Sequence, residues 1–242
     1  YSWKKYKSNM SFLVDTSYRS TKMEIMDDFS IKGVIYRDTL DKLELINRFL
    51  GGNKVTITGL KKLLQNQPKN KVIRIIDLGC GNGDILRDIA MFGRKENYLF
   101  KLIGIDANAA AIDYAKELSK SYPEINFKKI DIFSDDFKNQ EYDIALCTLF
   151  MHHFSNDEII SILSIILKNS SIGIVVNDLH RNILAYYLFK FMGYFIKNKM
   201  VIEDGLISIL KAFKREEIET ISTQMKVSFS IKWKWAFRYL WL

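Results

Sequence analysis

The stretch from Val72 to Asp84 constrains this chain most, because a buried strand, an acidic strand end, a tight glycine turn and a helix start follow one another without interruption. Val72, Ile73, Ile75 and Ile76, apolar and β-branched around one Arg74, suit the interior of a parallel sheet. Gly79, Gly81 and Gly83 come next, and glycines in such a turn let backbone amides approach a ligand where a Cβ would collide. The dinucleotide fingerprint is G-x-G-x-x-G, whereas the third glycine here is Gly83 and Asp84 stands where that fingerprint wants glycine. The Gly-Lys-Ser/Thr of a triphosphate-cradling loop is also missing from this turn.

A second apolar strand, Leu102 to Ile105, ends in Asp106. A carboxylate there, roughly 20 residues beyond the glycine turn, can accept hydrogen bonds from both hydroxyls of a ribose. Asp77-Leu78-Gly79-Cys80-Gly81-Asn82-Gly83 together with Asp106 resembles the class I S-adenosylmethionine-dependent methyltransferases. The resemblance implies an α/β fold: a Rossmann-like, seven-stranded, mostly parallel sheet with helices on both faces. It also implies S-adenosylmethionine as cofactor and S-adenosylhomocysteine as product. Asp77, Gly79, Cys80, Gly81, Asn82 and Gly83 then surround the cofactor, with Asp106 and Ala107 at its ribose. Lys129 to Phe133 resembles the family's loop after the third strand, which assigns Asp131 to the adenine amino group and Ile132 to the ring face. Tyr142 to Phe154 looks like the fourth strand with its "Leu-His-His" ending, placing the backbone of Thr148 near the methionine part. Ser155 to Glu158 forms a capping box before an apolar helix, and a strand from Ile172 to Asp178 follows.

With 242 residues and 48% hydrophobic content, the chain can bury a full core without staples. Cys80 and Cys147 fall in the glycine turn and a central strand, so no disulfide and no metal site is expected. Residues 1 to 7 lack the apolar stretch of a signal peptide and no segment has transmembrane length, so a cytoplasmic protein is expected. The formal charge of +8 raises nucleic acid or an anionic membrane as partner, but the lysines are scattered, as on a solvated surface. Nucleic-acid enzymes that methylate amino groups carry an Asn/Asp-Pro-Pro-aromatic motif after the fourth strand, and Cys147-Thr148-Leu149-Phe150 stands there instead. A nucleic-acid methyltransferase is therefore the lesser alternative, beside a non-catalytic module that binds S-adenosylmethionine.

Residues 1–68 read as an N-terminal helical lid and 69–242 as the cofactor-binding domain, with an acceptor-site helical insertion at about 181–212. Within the lid, residues 12–66 read as helical, with Asp38-Thr39 capping a face of Leu40, Leu43, Ile46 and Leu50 before Gly51-Gly52. Tyr18-Arg19-Ser20 and Glu24 to Asp28 resemble the N-terminal segment of bacterial small-molecule methyltransferases akin to ubiquinone and menaquinone biosynthesis enzymes. In such a lid Arg19 pairs with the cofactor carboxylate; the plainer alternative is a surface arginine. The segment after His180 is apolar nearly all round, as a core helix, an acceptor wall or an interfacial anchor at a membrane would be.

A sulfonium methyl is already activated, so the protein must align donor and acceptor, and a base is needed only for a protonated acceptor. The histidines are His152, His153 and His180. His180 and His153 are the catalytic candidates, while the His152-His153 pair reads as mostly architectural. The expected acceptor is a small, aromatic, lipophilic phenol or quinol, O-methylated rather than C-methylated.

Overall fold

The computed structural model describes residues 13–242; the expectation about a signal peptide concerns residues outside that range. Seven strands form one sheet: β1 (Val72–Leu78), β2 (Leu99–Asp106), β3 (Ile125–Lys129), β4 (Tyr142–Thr148), β5 (Ser170–Leu179), β6 (Ile231–Lys234) and β7 (Arg238–Trp241). Their order is β3-β2-β1-β4-β5-β7-β6. The first five run parallel, with Ile75 of β1 in register with Leu102 on one side and Ile144 on the other. β7 is antiparallel to both β5 and β6. The order reverses between β1 and β4, and open α/β sheets bind ligands outside the carboxyl ends of the strands at such a switch.

Alternation along the strands divides the core into two layers. Ile73, Ile75, Leu102, Ile144 and Leu146 face α2 (Gly52–Leu64), α3 (Asp84–Glu96) and α4 (Ala109–Leu118), which contribute Leu60, Leu64, Leu86, Ile89 and Ile112. Ile76, Leu78, Ile103, Ala145 and Cys147 face α5 (Asp135–Lys138), α6 (Asn156–Asn169) and α9 (Arg215–Gln224), through Phe137, Ile162, Ile166 and Ile218. Cys80 and Cys147 are buried free thiols. Among the described residues, no helix is long and apolar enough to cross a membrane.

The N-terminal region departs from the expected helix over 12–66. From residue 13 to Gly33 the chain is an irregular strap holding one 3-10 turn, Ile25–Asp27, and α1 (Val34–Phe49) starts ahead of the expected cap. Asp38 and Thr39 lie inside α1, where Thr39 Oγ1 donates back to the Ile35 carbonyl at 2.9 Å and Asp38 pairs with Lys42. Burial moves the start: Tyr36 and Leu40 pack against Ala111 and Tyr114, which fixes the preceding turn before a cap can act. α2 lies in the sheet-facing layer, so the helices before residue 68 do not share one role. Between β5 and α9 come α7 (Ile183–Met192) and α8 (Lys199–Lys211), over the carboxyl end of the sheet.

Gly79 shows why the turn after β1 needs glycine. Its φ is +67°, and an added Cβ would lie 2.3 Å from Cδ2 of Phe150. Gly79→Ala is expected to cost about 1–2 kcal/mol through the left-handed backbone alone, with further loss from displacing Phe150. Urea denaturation checks it, and an unchanged midpoint would show that neither constraint acts.

Candidate active site

The glycine turn folds back onto the end of β2. Cys80 N–H donates to the Ile105 carbonyl at 3.0 Å, and Gly81 N–H donates to Asp106 Oδ2 at 3.1 Å. Asp106 Oδ1 accepts from Asn108 N–H at 2.8 Å, which aims the carboxylate across the turn. Burial raises the Asp106 carboxyl above its ordinary value, against the pull of these amides. Asp77 is raised further, first by burial and then by Asp84 and Asp106, and its Oδ1 has no hydrogen-bond partner. Asn82 donates to Glu44 Oε2 at 2.8 Å, tying the turn to α1. Asp131 Oδ1 accepts from Phe133 N–H at 2.9 Å beside the buried Ile132, and the hydroxyls of Thr148 and Thr56 lie 2.9 Å apart.

Asp77, Gly79, Cys80, Gly81, Asn82, Asp106, Ala107, Asp131, Ile132 and Thr148 line one cavity of about 1130 Å³, which Arg19, His153 and His180 also reach. Gly83 lies behind it, where an added Cβ would strike Phe127 at 2.6 Å. The residues present fit an S-adenosyl nucleoside. Asp106 can take ribose hydroxyls, Ile132 offers an apolar flank, and the unpartnered Asp77 Oδ1 awaits a donor.

Leu40, Leu43, Leu188, Phe189, Met192 and Phe237 add apolar wall to the same cavity, and Glu24, His152 and His153 add a polar cluster. His152 Nδ1 lies 2.7 Å from Asp178 Oδ1, and His152 N–H also donates to that carboxylate at 3.2 Å. A proton on Nδ1 leaves a lone pair on Nε2, which is buried without a hydrogen-bond partner, 3.7 Å from Glu24 Oε1. His153 Nδ1 pairs with Asp27 Oδ1 at 2.9 Å. Burial alone would raise the Asp27 carboxyl, but His153, with help from Lys211, holds it well below the carboxylate range. Glu24, His152 and His153 each offer a ligand atom within 4.8 Å of the others. Lys211 Nζ stands 3.3 Å from Glu24 Oε1, so the protein supplies this cluster with a cation of its own.

Arg19 and His180 meet partners that the sequence does not foretell, and a third basic residue, Arg238, joins them at the cavity. Arg19 donates to the carbonyls of Lys211, His152 and Phe154 and to Asn156 Oδ1, all within 2.9 Å. Those bonds engage most of its N–H groups in pinning the strap to the rim, so the structure gives Arg19 protein partners rather than an open face for a carboxylate. His180 Nδ1 accepts from Trp233 Nε1–H at 3.3 Å, leaving a proton on Nε2 in the neutral ring. Burial, then Arg181, lowers the His180 pKa and keeps the ring neutral, so here it presents a donor. Arg238, which the sequence reading passed over, lines the cavity with its head buried; burial pushes its pKa down to about 10. Neither Glu24 nor Asp178 was singled out as a site residue, although Glu24 lies in the quoted motif and Asp178 ends a predicted strand.

A methyltransferase-domain family matches residues 69–236. The putative methyltransferase 235L of Invertebrate iridescent virus 6 is 34% identical over 92 residues, 34% of this chain and 32% of that protein. Carboxy-S-adenosyl-L-methionine synthase of Nitratiruptor sp. is 35% identical over 77 residues, 31% of each. The chain thus spans about a third of the length of the curated relatives it matches. The plantazolicin methyltransferase BpumL, solved with S-adenosylhomocysteine, superposes with a TM-score of 0.59 at 22% identity, covering 83% of this chain and 73% of that one. Glycine turn, Asp106 and sheet order fit that family's site for S-adenosylmethionine, and with more than half its length matched the chain belongs to the methyltransferase-domain family.

Proposed function

We propose that this protein transfers a methyl group from S-adenosylmethionine to the hydroxyl of a small, aromatic, lipophilic acceptor of phenol or quinol type. The observation that carries the reading is His152 Nε2, without a hydrogen-bond partner and braced through Nδ1 by Asp178, in a cavity that Leu188, Phe189 and Met192 also line. When bound, the donor supplies an already activated methyl. The chain's own residues then position the acceptor and receive its proton. The phenolic O–H proton passes to His152 Nε2, and the buried Asp178 carboxylate stabilises the imidazolium that results, as a buried carboxylate does in hydrolytic triads. His153, with its ring centroid 4.4 Å from that of His152, supports the base, and His180 offers its Nε2–H to an acceptor oxygen.

Exposed Phe191, Tyr194 and Phe195, flanked by exposed Lys190, Lys197 and Lys199, support peripheral contact with an anionic membrane from the cytoplasm as the route for a lipophilic acceptor. A panel of phenols, catechols and quinols incubated with methyl-labelled donor tests the proposal. Label on a ring hydroxyl is expected. Label confined to nucleic-acid or protein amino groups would replace the reading, and tight product binding without any transfer would leave a binding module.

A further inference from the structure

Arg238 opens β7 at the carboxyl end of the sheet, in register with Leu179 of β5. It is 2% exposed, and neither Nε nor Nη1 has a hydrogen-bond partner. The other buried arginines contrast with it. Arg181 is bound bidentately by Glu217 and by the carbonyls of Ala212, Thr16 and Ser17. Arg87 holds Glu44 and the Asn82 carbonyl. A guanidinium stripped of water and left unpaired is strongly unfavourable, so a fold keeps one where an anion will complete it.

The surroundings are arranged for such an anion. An added Cβ on Gly52 would lie 2.9 Å from the Arg238 Cζ, so the absent side chain gives the guanidinium its place beside the first turn of α2. That helix N-terminus adds a partial positive charge, and its first amides lack intrahelical partners. The same added Cβ would also meet the side chain of Asn47, which lines the cavity and whose Oδ1 is buried without a donor. A cation beside an unsatisfied acceptor matches the two ends of an α-amino acid: carboxylate to the guanidinium, ammonium to the oxygen.

We propose that Arg238 is the receptor of a carboxylate, with the Asn47 oxygen serving an ammonium next to it. The assignment rests on the methyltransferase reading. Two molecules in that reaction could bring the carboxylate: the donor, through its amino-acid end, or an acceptor that is itself an acid.

Calorimetry on wild type, Arg238→Met and Arg238→Lys separates them. The ligands are S-adenosylhomocysteine, its carboxyl methyl ester, and 5′-methylthioadenosine, which lacks the amino-acid end. If the donor supplies the anion, Arg238→Met weakens S-adenosylhomocysteine by about 30-fold or more and leaves methylthioadenosine unchanged, while Arg238→Lys recovers part of the loss. If the acceptor supplies it, S-adenosylhomocysteine is unaffected and the lower KM of a carboxylated acceptor over its neutral counterpart disappears in Arg238→Met. Should the methionine variant not fold, wild type alone decides: the methyl ester binds about 30-fold weaker, or the carboxylated acceptor is preferred. Equal binding of ester and acid with no preference for carboxylated acceptors overturns the assignment, as does an equal loss of all three ligands in a folded Arg238→Met. Failure of wild type to bind any of the three at millimolar concentration would instead sink the methyltransferase reading.

Discussion

His152→Ala is expected to lower turnover of a phenolic acceptor by about 10²- to 10⁴-fold while S-adenosylhomocysteine binding stays near wild type. Asp178 holds Nδ1 at 2.7 Å, so the neutral ring keeps its proton on Nδ1 and its lone pair on Nε2. Burial disfavours the imidazolium, but the charge and hydrogen bond of Asp178, with Glu24 adding to them against Lys211, leave the His152 pKa raised. A base works in its neutral form, so kcat/KM should fall as pH drops through that raised value, above the ordinary histidine value of about 6.5. The acid limb should vanish in His152→Ala, and the loss should shrink for acidic phenols that ionise unaided. His180→Ala is the comparator, expected to lose about tenfold or less, since the Trp233 N–H already occupies the Nδ1 lone pair. A larger loss at His180 than at His152 would move the base to the end of β5.

Asp106→Ala should weaken S-adenosylhomocysteine by about 1.5–3 kcal/mol in calorimetry, the range for hydrogen bonds to a charged group. The carboxylate lines the cavity and accepts the amides of Gly81 and Asn108, so its removal also loosens the glycine turn. Asp106→Asn keeps one acceptor oxygen and should fall between wild type and alanine. Burial raises this carboxyl, so affinity should decline as acidification protonates it, beginning above the ordinary aspartate value of about 3.9. Affinity unchanged in the alanine variant would place the ribose elsewhere.

What could be read from the chain alone was what adjacent residues decide. The strand, the turn and Asp106 sit within 35 residues of one another, and their spacing is itself the signal. Sheet order and helices on both faces follow from that unit repeated. The start of α1 was not legible, because Tyr36 and Leu40 are drawn to α4, about 75 residues away, and such burial overrides the capping preference of Asp38. His152 reads as architectural in sequence because its orienting partner, Asp178, ends a different strand and its neighbour Glu24 arrives on the strap. Arg238 gives no local sign at all; its character comes from the absence of partners, which only packing reveals. Arg19 shows the converse, a residue with a plausible ligand whose hydrogen bonds the fold had already claimed.

The two thiols have a practical consequence. Cys80 and Cys147 are buried, and burial, reinforced by carboxylates nearby, pushes both well above the ordinary thiol value, so neither supplies the thiolate that maleimides attack. A single cysteine introduced on the strap away from the cavity, for instance at the exposed Lys32, can therefore carry a fluorophore without first removing the native ones. The surroundings of the strap could then be followed in real time as S-adenosylhomocysteine is added, in a chain otherwise unaltered.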